Sequence, residues 1–371
     1  MPQPIIIAIP VFIALMGVEY VYGILTRRNN YRLNDTISSL SQGVLSQAVA
    51  ACTTFFQIGA FSLIYRHVPN WGNRDFWPTW YGAGLAIVLY DFCNYWLHRI
   101  DHRCNFYWAS HVIHHQSQQF NLSTALRHES ASPVIDSVFF FPLALMGMPP
   151  EVFGTAAFVV LVYQVWVHTE HIGKLGWFDY VFTSPSNHRV HHSINEKYLN
   201  KNYAAVLIIW DRMFGTFEPE SEPCIYGTLT PLNSWNPFKA LSAVFLEMAG
   251  NMARAKSWAD KIRFLYKPPG WMPSNRPAAA DSNMSSPMNQ AKYDPPVSRG
   301  RRIAAAVFFM LAGAVMFMLA WHEGDISSTD KWLTVLLITG MLWGAGVMIE
   351  PNNTPTQPQG KEMPFIQHHE A

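Results

Sequence analysis

Five long apolar stretches constrain this chain more than any other feature. Ile5–Leu25 carries one acid, Glu19, and Trp80–Leu97 carries one, Asp91. Val44–Tyr65, Ile303–Trp321 and Trp332–Ile349 carry no charge. A helix that crosses the hydrocarbon core of a bilayer needs about 20 apolar residues, and each stretch is near that length. Composition agrees, because only 14% of the 371 residues are charged, against about 25% in a soluble domain. An ordinary soluble enzyme is therefore disfavoured. A chain that is 50% hydrophobic is not a disordered one either.

The first stretch has no basic residue before it and does not read as a cleavable signal peptide. Val134–Met148 and Val152–Val167 are shorter and are separated by Pro149, Pro150 and Glu151. They read as a helical hairpin (residues 134–167) that dips into the membrane, or else as a buried core pair. Arg27, Arg28 and Arg32 follow the first stretch, and Arg299, Arg301 and Arg302 precede the fourth. Basic loops stay in the cytoplasm, so both sites are expected there. Arg66 and Arg74 dissent mildly. Residues 1–97 then form an N-terminal membrane unit, 98–265 a cytoplasmic cap with the hairpin, and 303–349 two C-terminal spans. Segments 266–302 and 350–371 are polar or rich in Pro, Ser and Asn, and read as a flexible linker and a disordered tail. The cap is expected to hold short helices, with some extended chain near Tyr203–Trp210.

Charge excludes one class of partner. The 26 basic and 25 acidic residues leave a formal charge of +1, so no nucleic-acid partner is expected. The four cysteines follow no disulfide or CxxC spacing.

The 15 histidines are the chemical signal. His98-Arg-Ile-Asp-His102, His111-Val-Ile-His114-His115 and His188-Arg-Val-His191-His192 form three clusters. Residues at i, i+3 and i+4 share one helix face, so each cluster aims its imidazoles together. Imidazole suits iron, zinc, copper and nickel. Eight imidazoles exceed the needs of one ion and fit two. His168 and His171 extend the candidate ligand set, and His128 stands apart. Asp91 shares a stripe with Asn94 and His98, so it is a candidate carboxylate partner for a ligand imidazole, or a plain helix–helix contact. Asp101, Glu129 and Glu170 are weaker candidates of that kind. Arg189 reads as a lipid-headgroup contact or a charge balance.

Several chemistries compete for such a site. A zinc protease needs HExxH, but after His128-Glu129 the second histidine position holds Ser132. A metal transporter would place its ligands near the bilayer midplane, whereas these lie at helix ends and in the cap. Oxygen chemistry on a lipid fits better. A metal-stabilised, non-catalytic membrane protein with a zinc site is the alternative.

The residues also resemble a known family. Asp91-Phe-Cys-Asn-Tyr-Trp-Leu-His-Arg99, the second cluster, Phe120-Asn-Leu-Ser-Thr-Ala-Leu-Arg127 and His168-Thr-Glu170 carry the likeness. So do Pro185-Ser-Asn-His-Arg-Val-His-His192, Lys201-Asn-Tyr203, Leu207-Ile-Ile-Trp-Asp-Arg212 and Phe214-Gly-Thr-Phe-Glu218. A weaker echo is Arg32-Leu-Asn-Asp-Thr36. Together they resemble the fatty acid hydroxylase and sterol desaturase superfamily, and within it the alkylglycerol monooxygenase group and its bacterial relatives. The resemblance implies an all-α, polytopic integral membrane protein of the bacterial inner membrane, with a cytoplasmic helical cap holding a dinuclear metal site. It implies an O2-dependent monooxygenase with two iron ions, hydroxylating, or desaturating, an ether-lipid, fatty acyl or sterol-like C–H bond. The ligands it implies are His98, His102, His111, His114, His115, His188, His191 and His192, with His168 as a further one. Asp91 joins them as a catalytic candidate. The resemblance implies a lipid substrate and a separate two-electron donor such as tetrahydrobiopterin, since no cytochrome or flavin domain is fused. One position departs: Arg103 stands where the ether-lipid group carries an acid, which bears on pterin and substrate rather than on iron. Phe55, Phe56, Phe139 and Phe140 are candidate lining for the lipid tail, or simple packing. The C-terminal spans lie outside the likeness and read as structural or dimer-forming, and the oligomeric state is not legible.

Overall fold

The fold was analysed in a computed structural model that describes residues 4–67, 74–128, 135–273, 292–322 and 324–351. Among these residues there is no strand, only an isolated antiparallel bridge between Ser193 and Tyr226. The main helices are α1 (Pro4–Leu25), α2 (Leu33–His67), α3 (Trp80–Asp101), α4 (Asn105–His115), α5 (Pro150–Trp166), α6 (Pro185–His191), α7 (Pro237–Arg254), α8 (Trp258–Tyr266), α9 (Arg299–Trp321) and α10 (Ser328–Ile349).

Four described helices are long and apolar enough to cross a membrane: α1, α2, α9 and α10. Trp80–Leu97, the remaining sequence candidate, is not among them. It is helical throughout and runs on to Asp101, but Asp91, Asn94 and its run of Tyr and Trp lower its hydropathy. Thr79 caps it, accepting from the Gly82 amide at 3.1 Å.

The expected hairpin is lopsided. Its first limb is a short 3-10 turn, Ser137–Phe140, followed by Phe141–Leu145, while the second is the 17-residue α5. Pro149 and Pro150 separate them, and Pro150 starts α5, where its missing N–H costs nothing. At about 1.5 Å per residue, α5 is roughly 25 Å long, short of a full crossing. Phe140 stacks on Tyr90 with centroids 4.6 Å apart, inside a buried cluster with Phe61 and Leu143. Phe140 therefore packs the core, and Phe139 packs edge-on against Tyr107. The side chains of Phe55 and Phe56 lie outside the described residues.

The C-terminal spans pack on α2. Ala312, Met316, Leu319 and Ala320 of α9 and Val335, Ile338 and Leu342 of α10 share one core with Leu45 and Ala48 of α2. Buried alanines at such contacts let membrane helices approach closely. Gln42 of α2 donates to the Pro237 carbonyl at the start of α7 at 2.7 Å, joining this bundle to α7. The linker's central residues and the tail beyond Pro351 lie outside the description. Its last residues are anchored: the Tyr293 amide donates to Gln118 Oε1 at 2.6 Å, and Lys292 Nζ reaches Gln119 Oε1 at 3.4 Å.

Candidate metal centre

Nine imidazoles converge in two groups. The first is His98, His102, His111, His115 and His191; the second is His114, His168, His188 and His192. Within each group one nitrogen per residue lies within 4.8 Å of all the others. Helical spacing explains the division. Each HxxHH places its i, i+4 pair in one group and its middle histidine in the other. Thus His111 and His115 join the first group while His114 joins the second, and His188 and His192 join the second while His191 joins the first. The groups adjoin, since His115 and His192 stack at 4.4 Å.

The outward nitrogens fix the tautomers. His98 Nδ1 donates to the Tyr203 carbonyl at 2.6 Å, and His191 Nδ1 to the Lys201 carbonyl at 3.1 Å. His114 Nδ1 donates to the Arg127 carbonyl at 3.1 Å, and His168 Nδ1 to the Gln164 carbonyl at 2.7 Å. A carbonyl only accepts, so each of these Nδ1 atoms carries the proton and each Nε2 turns a bare lone pair inward. His114 Nε2 and His168 Nε2 then face each other at 3.2 Å with no proton to share. Two such lone pairs repel unless a cation lies between them. Outward donation to carbonyls is also the usual support of a metal-bound histidine. In the first group, His102 Nε2 and His191 Nε2 are buried without a hydrogen-bond partner. The donor set fits two metal ions.

Burial, and then the neighbouring imidazoles, hold His111, His114, His115, His188, His191 and His192 well below the ordinary imidazole pKa. They are neutral at pH 7, the form that binds metal.

Two buried carboxylates build the wall behind the first group. Asp211 accepts from the Tyr203 and Ala204 amides, each at 2.8 Å, and from Thr216 Oγ1 at 2.6 Å. Asp91 accepts from the Val206 and Leu207 amides and from Trp210 Nε1, each at 2.9 Å. Of the two roles open to Asp91, a partner for a ligand imidazole or a packing contact, the structure shows the packing contact. Its oxygens hold the segment that supplies the Tyr203 carbonyl, because that segment brings three convergent donors and no histidine does. The carboxylate beside a candidate ligand is Asp101, whose Oδ2 lies 3.9 Å from His111 Nδ1. This segment is irregular up to α-helical Ile209–Met213, not a strand.

The remaining candidates sort plainly. His168, at the end of α5, lies in the second group. His171 does not: its ring packs on Tyr22, centroids 5.1 Å apart. His128 stacks beside His114 at 6.0 Å, outside both groups. Glu170 is exposed, and Glu129 lies outside the described residues. Arg189 takes the charge-balance alternative. It forms a bidentate pair with Glu220 at 2.8 and 2.7 Å and donates to the Thr169 and Ile172 carbonyls at 2.9 and 2.7 Å.

Sequence reasoning missed two organisers. Glu19, on α1, accepts from Thr169 Oγ1 at 2.5 Å, Tyr31 OH at 2.5 Å and the Leu122 amide at 2.8 Å. It ties the residue after His168 to the segment before Arg127. The signal was visible, since an acid in an apolar run is costly and by default functional. Arg127 donates to the Ile113 carbonyl at 2.5 Å, to Ser38 Oγ and to Gln116 Oε1, the last two at 3.2 Å. Its own carbonyl receives His114. Gly43 makes this packing feasible, because a Cβ there would lie 2.3 Å from the Leu126 carbonyl oxygen.

A helical membrane body with two buried histidine groups defines a class, the membrane-bound histidine-box proteins. Residues 83–216 match the fatty acid hydroxylase family. Human alkylglycerol monooxygenase is 34% identical over 89% of this chain and 73% of its own length, and the Danio rerio protein of that name is 36% identical over 90% and 73%. The ornithine lipid hydroxylase OlsE of Rhizobium tropici is 28% identical over 53% of this chain and 60% of its own. No solved structure matches. The chain belongs to the fatty acid hydroxylase family, and its relatives are monooxygenases and hydroxylases.

Proposed function

We propose that this protein is a di-iron monooxygenase that hydroxylates a C–H bond of a membrane lipid. The observation that carries the reading is the inward-facing, unprotonated Nε2 pair of His114 and His168 within a set of nine neutral imidazoles. Two iron ions, one per histidine group, would supply O2 activation with two electrons from a separate donor, tetrahydrobiopterin being one candidate. The overall balance is R–H, O2, two electrons and two protons giving R–OH and water. His98, His102, His111, His115 and His191 would hold one ion, and His114, His168, His188 and His192 the other. Asp91, Asp211, Arg127, Glu19 and Arg189 fix the carbonyls and segments that orient these imidazoles.

The relatives' names specify alkylglycerol, ornithine lipid and methylsterol. Their common element is a lipid, and that is the substrate class proposed. All three names specify a hydroxylase or monooxygenase, which favours hydroxylation over desaturation. The orientation argument also gains support. Tyr293, shortly before the basic start of α9, bonds Gln118, three residues after His115. This contact supports reading the basic start of α9 and the histidine groups as lying on one side, and the positive-inside rule favours the cytoplasm for that side.

The test is metal content and oxygen use measured together on protein purified anaerobically. About two irons per chain, with O2 consumed when a reductant and a lipid extract are supplied, is the expected result. Tightly held zinc, with no uptake after iron reconstitution, would overturn the oxygenase reading in favour of a metal-stabilised structural role.

A further inference from the structure

Helix α8 carries apolar side chains on the wrong face for a cap helix. Phe264 points into the core at 3% exposure, while Trp258, Ile262 and Tyr266 are 78%, 57% and 53% exposed. At about 100° per residue, Ile262 and Phe264 project roughly 200° apart. The outward face of the helix is thus an aromatic and aliphatic stripe at i, i+4 and i+8. A surface helix normally shows polar residues there.

Cations border the stripe. Between Arg254 and Lys267 the sequence holds five basic residues, those two with Lys256, Lys261 and Arg263, against the single acid Asp260. Lys261 Nζ lies 4.9 Å from the Trp258 ring, so its stem runs along the stripe with its charge at the edge. Arg263, on the opposite flank, pairs with Asp260 at 2.9 Å.

The helix is fixed in this pose. Ser257 Oγ accepts from the Asp260 amide at 3.0 Å. The carbonyls of its last turn are taken by the start of α4: Asn105 Nδ2 donates to Phe264 O at 3.0 Å, Cys104 Sγ to Leu265 O at 3.3 Å and the Asn105 amide to Lys267 O at 3.0 Å. The helix is also linked to the membrane body along the chain. Helix α7, which leads into α8, begins at the end of the spanning helix α10, where Glu350 accepts from the Trp235 and Asn236 amides at 2.7 and 2.9 Å.

We infer that α8 lies in the plane of the membrane interface, with Trp258, Ile262 and Tyr266 sunk to the headgroup–acyl boundary and Lys256, Lys261 and Lys267 on anionic headgroups. Trp and Tyr favour that depth because one end of each ring system is apolar and the other wet. A cationic amphipathic helix of this kind binds a bilayer through buried apolar area plus attraction to anionic lipid. The inference is independent of the metal chemistry.

The experiment places p-benzoylphenylalanine at Trp258, and separately at Ile262, in the full chain, reconstituted in nanodiscs of phosphatidylcholine with a minority of phosphatidylglycerol. Both sites are exposed, so the bulky residue is tolerated. Irradiation should give phospholipid adducts at both, read by intact mass. Phosphatidylglycerol should be enriched among them about five-fold over its share of the disc, as one membrane-proximal cation gives. The double substitution Lys261→Glu and Lys267→Glu should return the adducts to the disc's own composition. Lipid adducts at neither site, or adducts only to a co-purified protein, would overturn the membrane assignment. Adducts that mirror the disc composition before any charge change would overturn the anionic-headgroup part.

Discussion

The arrangement of protons on nine imidazoles decides what the centre can hold. His114 and His168 donate their Nδ1 protons to backbone carbonyls and present bare Nε2 atoms to each other. Replacing either with Ala should remove the metal of the second group while the first keeps its own. Elemental analysis should fall from about two ions per chain to about one, and turnover should drop more than the roughly 100-fold upper value for loss of a partner behind a ligand. Retention of both ions would mean the groups are not separate sites. Glu19 acts one step further out. Glu19→Gln replaces one of its two acceptor oxygens with a donor against Thr169, Tyr31 or Leu122. A buried donor left unpaired costs about 1–3 kcal/mol, so the melting temperature should fall by several degrees with both metals still bound. An unchanged melting curve would show that the three donors find other partners. Much of this centre was legible in the sequence, because HxxHH spacing dictates a shared face. Which pairs share a group was not, since that depends on how α3, α4, α5 and α6 meet. The role of Asp91 stayed open between two alternatives for the same reason: its donors lie 115 to 119 residues away, beyond the reach of any helical stripe.

At the scale of elements, the two C-terminal helices show why an apolar run alone does not reveal a role. Their length and composition announced membrane spans, and they are helical as expected. Nothing in the runs announced that they share a core with α2 or that their end anchors α7. Arg301 donates to the Met348, Val347 and Glu350 carbonyls at 3.0, 2.7 and 2.7 Å, closing the C-terminus of α10. Glu350 in turn receives Ser234 Oγ and the Trp235 and Asn236 amides. Helix α7 passes the contact on, since Gln116, which ends α4, donates to the Ala240 carbonyl at 3.2 Å. Glu350→Ala should therefore leave the spans inserted but loosen α7. With hydrogen bonds to a charged group at about 1.5–3 kcal/mol each, faster amide exchange across residues 234–240 is the expected signature. Protection unchanged in that stretch would show that the apolar core alone holds α7. Pro237–Arg254 and Trp258–Tyr266 were less legible than the spans, because their periodicity does not say which face meets the core, and part of their apolar surface faces outward.

For the whole molecule, burying so many imidazoles without charge sets how stability depends on pH. The folded histidines have pKa values held well below the ordinary value by burial, whereas the unfolded chain titrates near about 6.5. A depressed folded pKa contributes stability that is fully present above the unfolded value. It is lost as pH falls, because the unfolded chain then takes protons that the folded chain refuses. Metal-free protein should melt at a constant temperature above about pH 7, then lose stability steeply below about 6.5. Because several histidines act together, the slope should exceed that of one group, which is about 1.4 kcal/mol per pH unit. The metal-loaded protein should start higher, since ligand that binds only the folded state stabilises it. It should stay flat to lower pH, because protons must first displace the ions. Parallel melting curves of stripped and loaded protein from pH 8 to 5 would check this. Coincident curves would mean that the histidine groups hold no metal, and a flat metal-free curve would mean that water reaches the imidazoles. Either outcome would remove the link on which the oxygenase reading depends: one dry, neutral pocket where the fold has excluded every proton that a metal would have to displace.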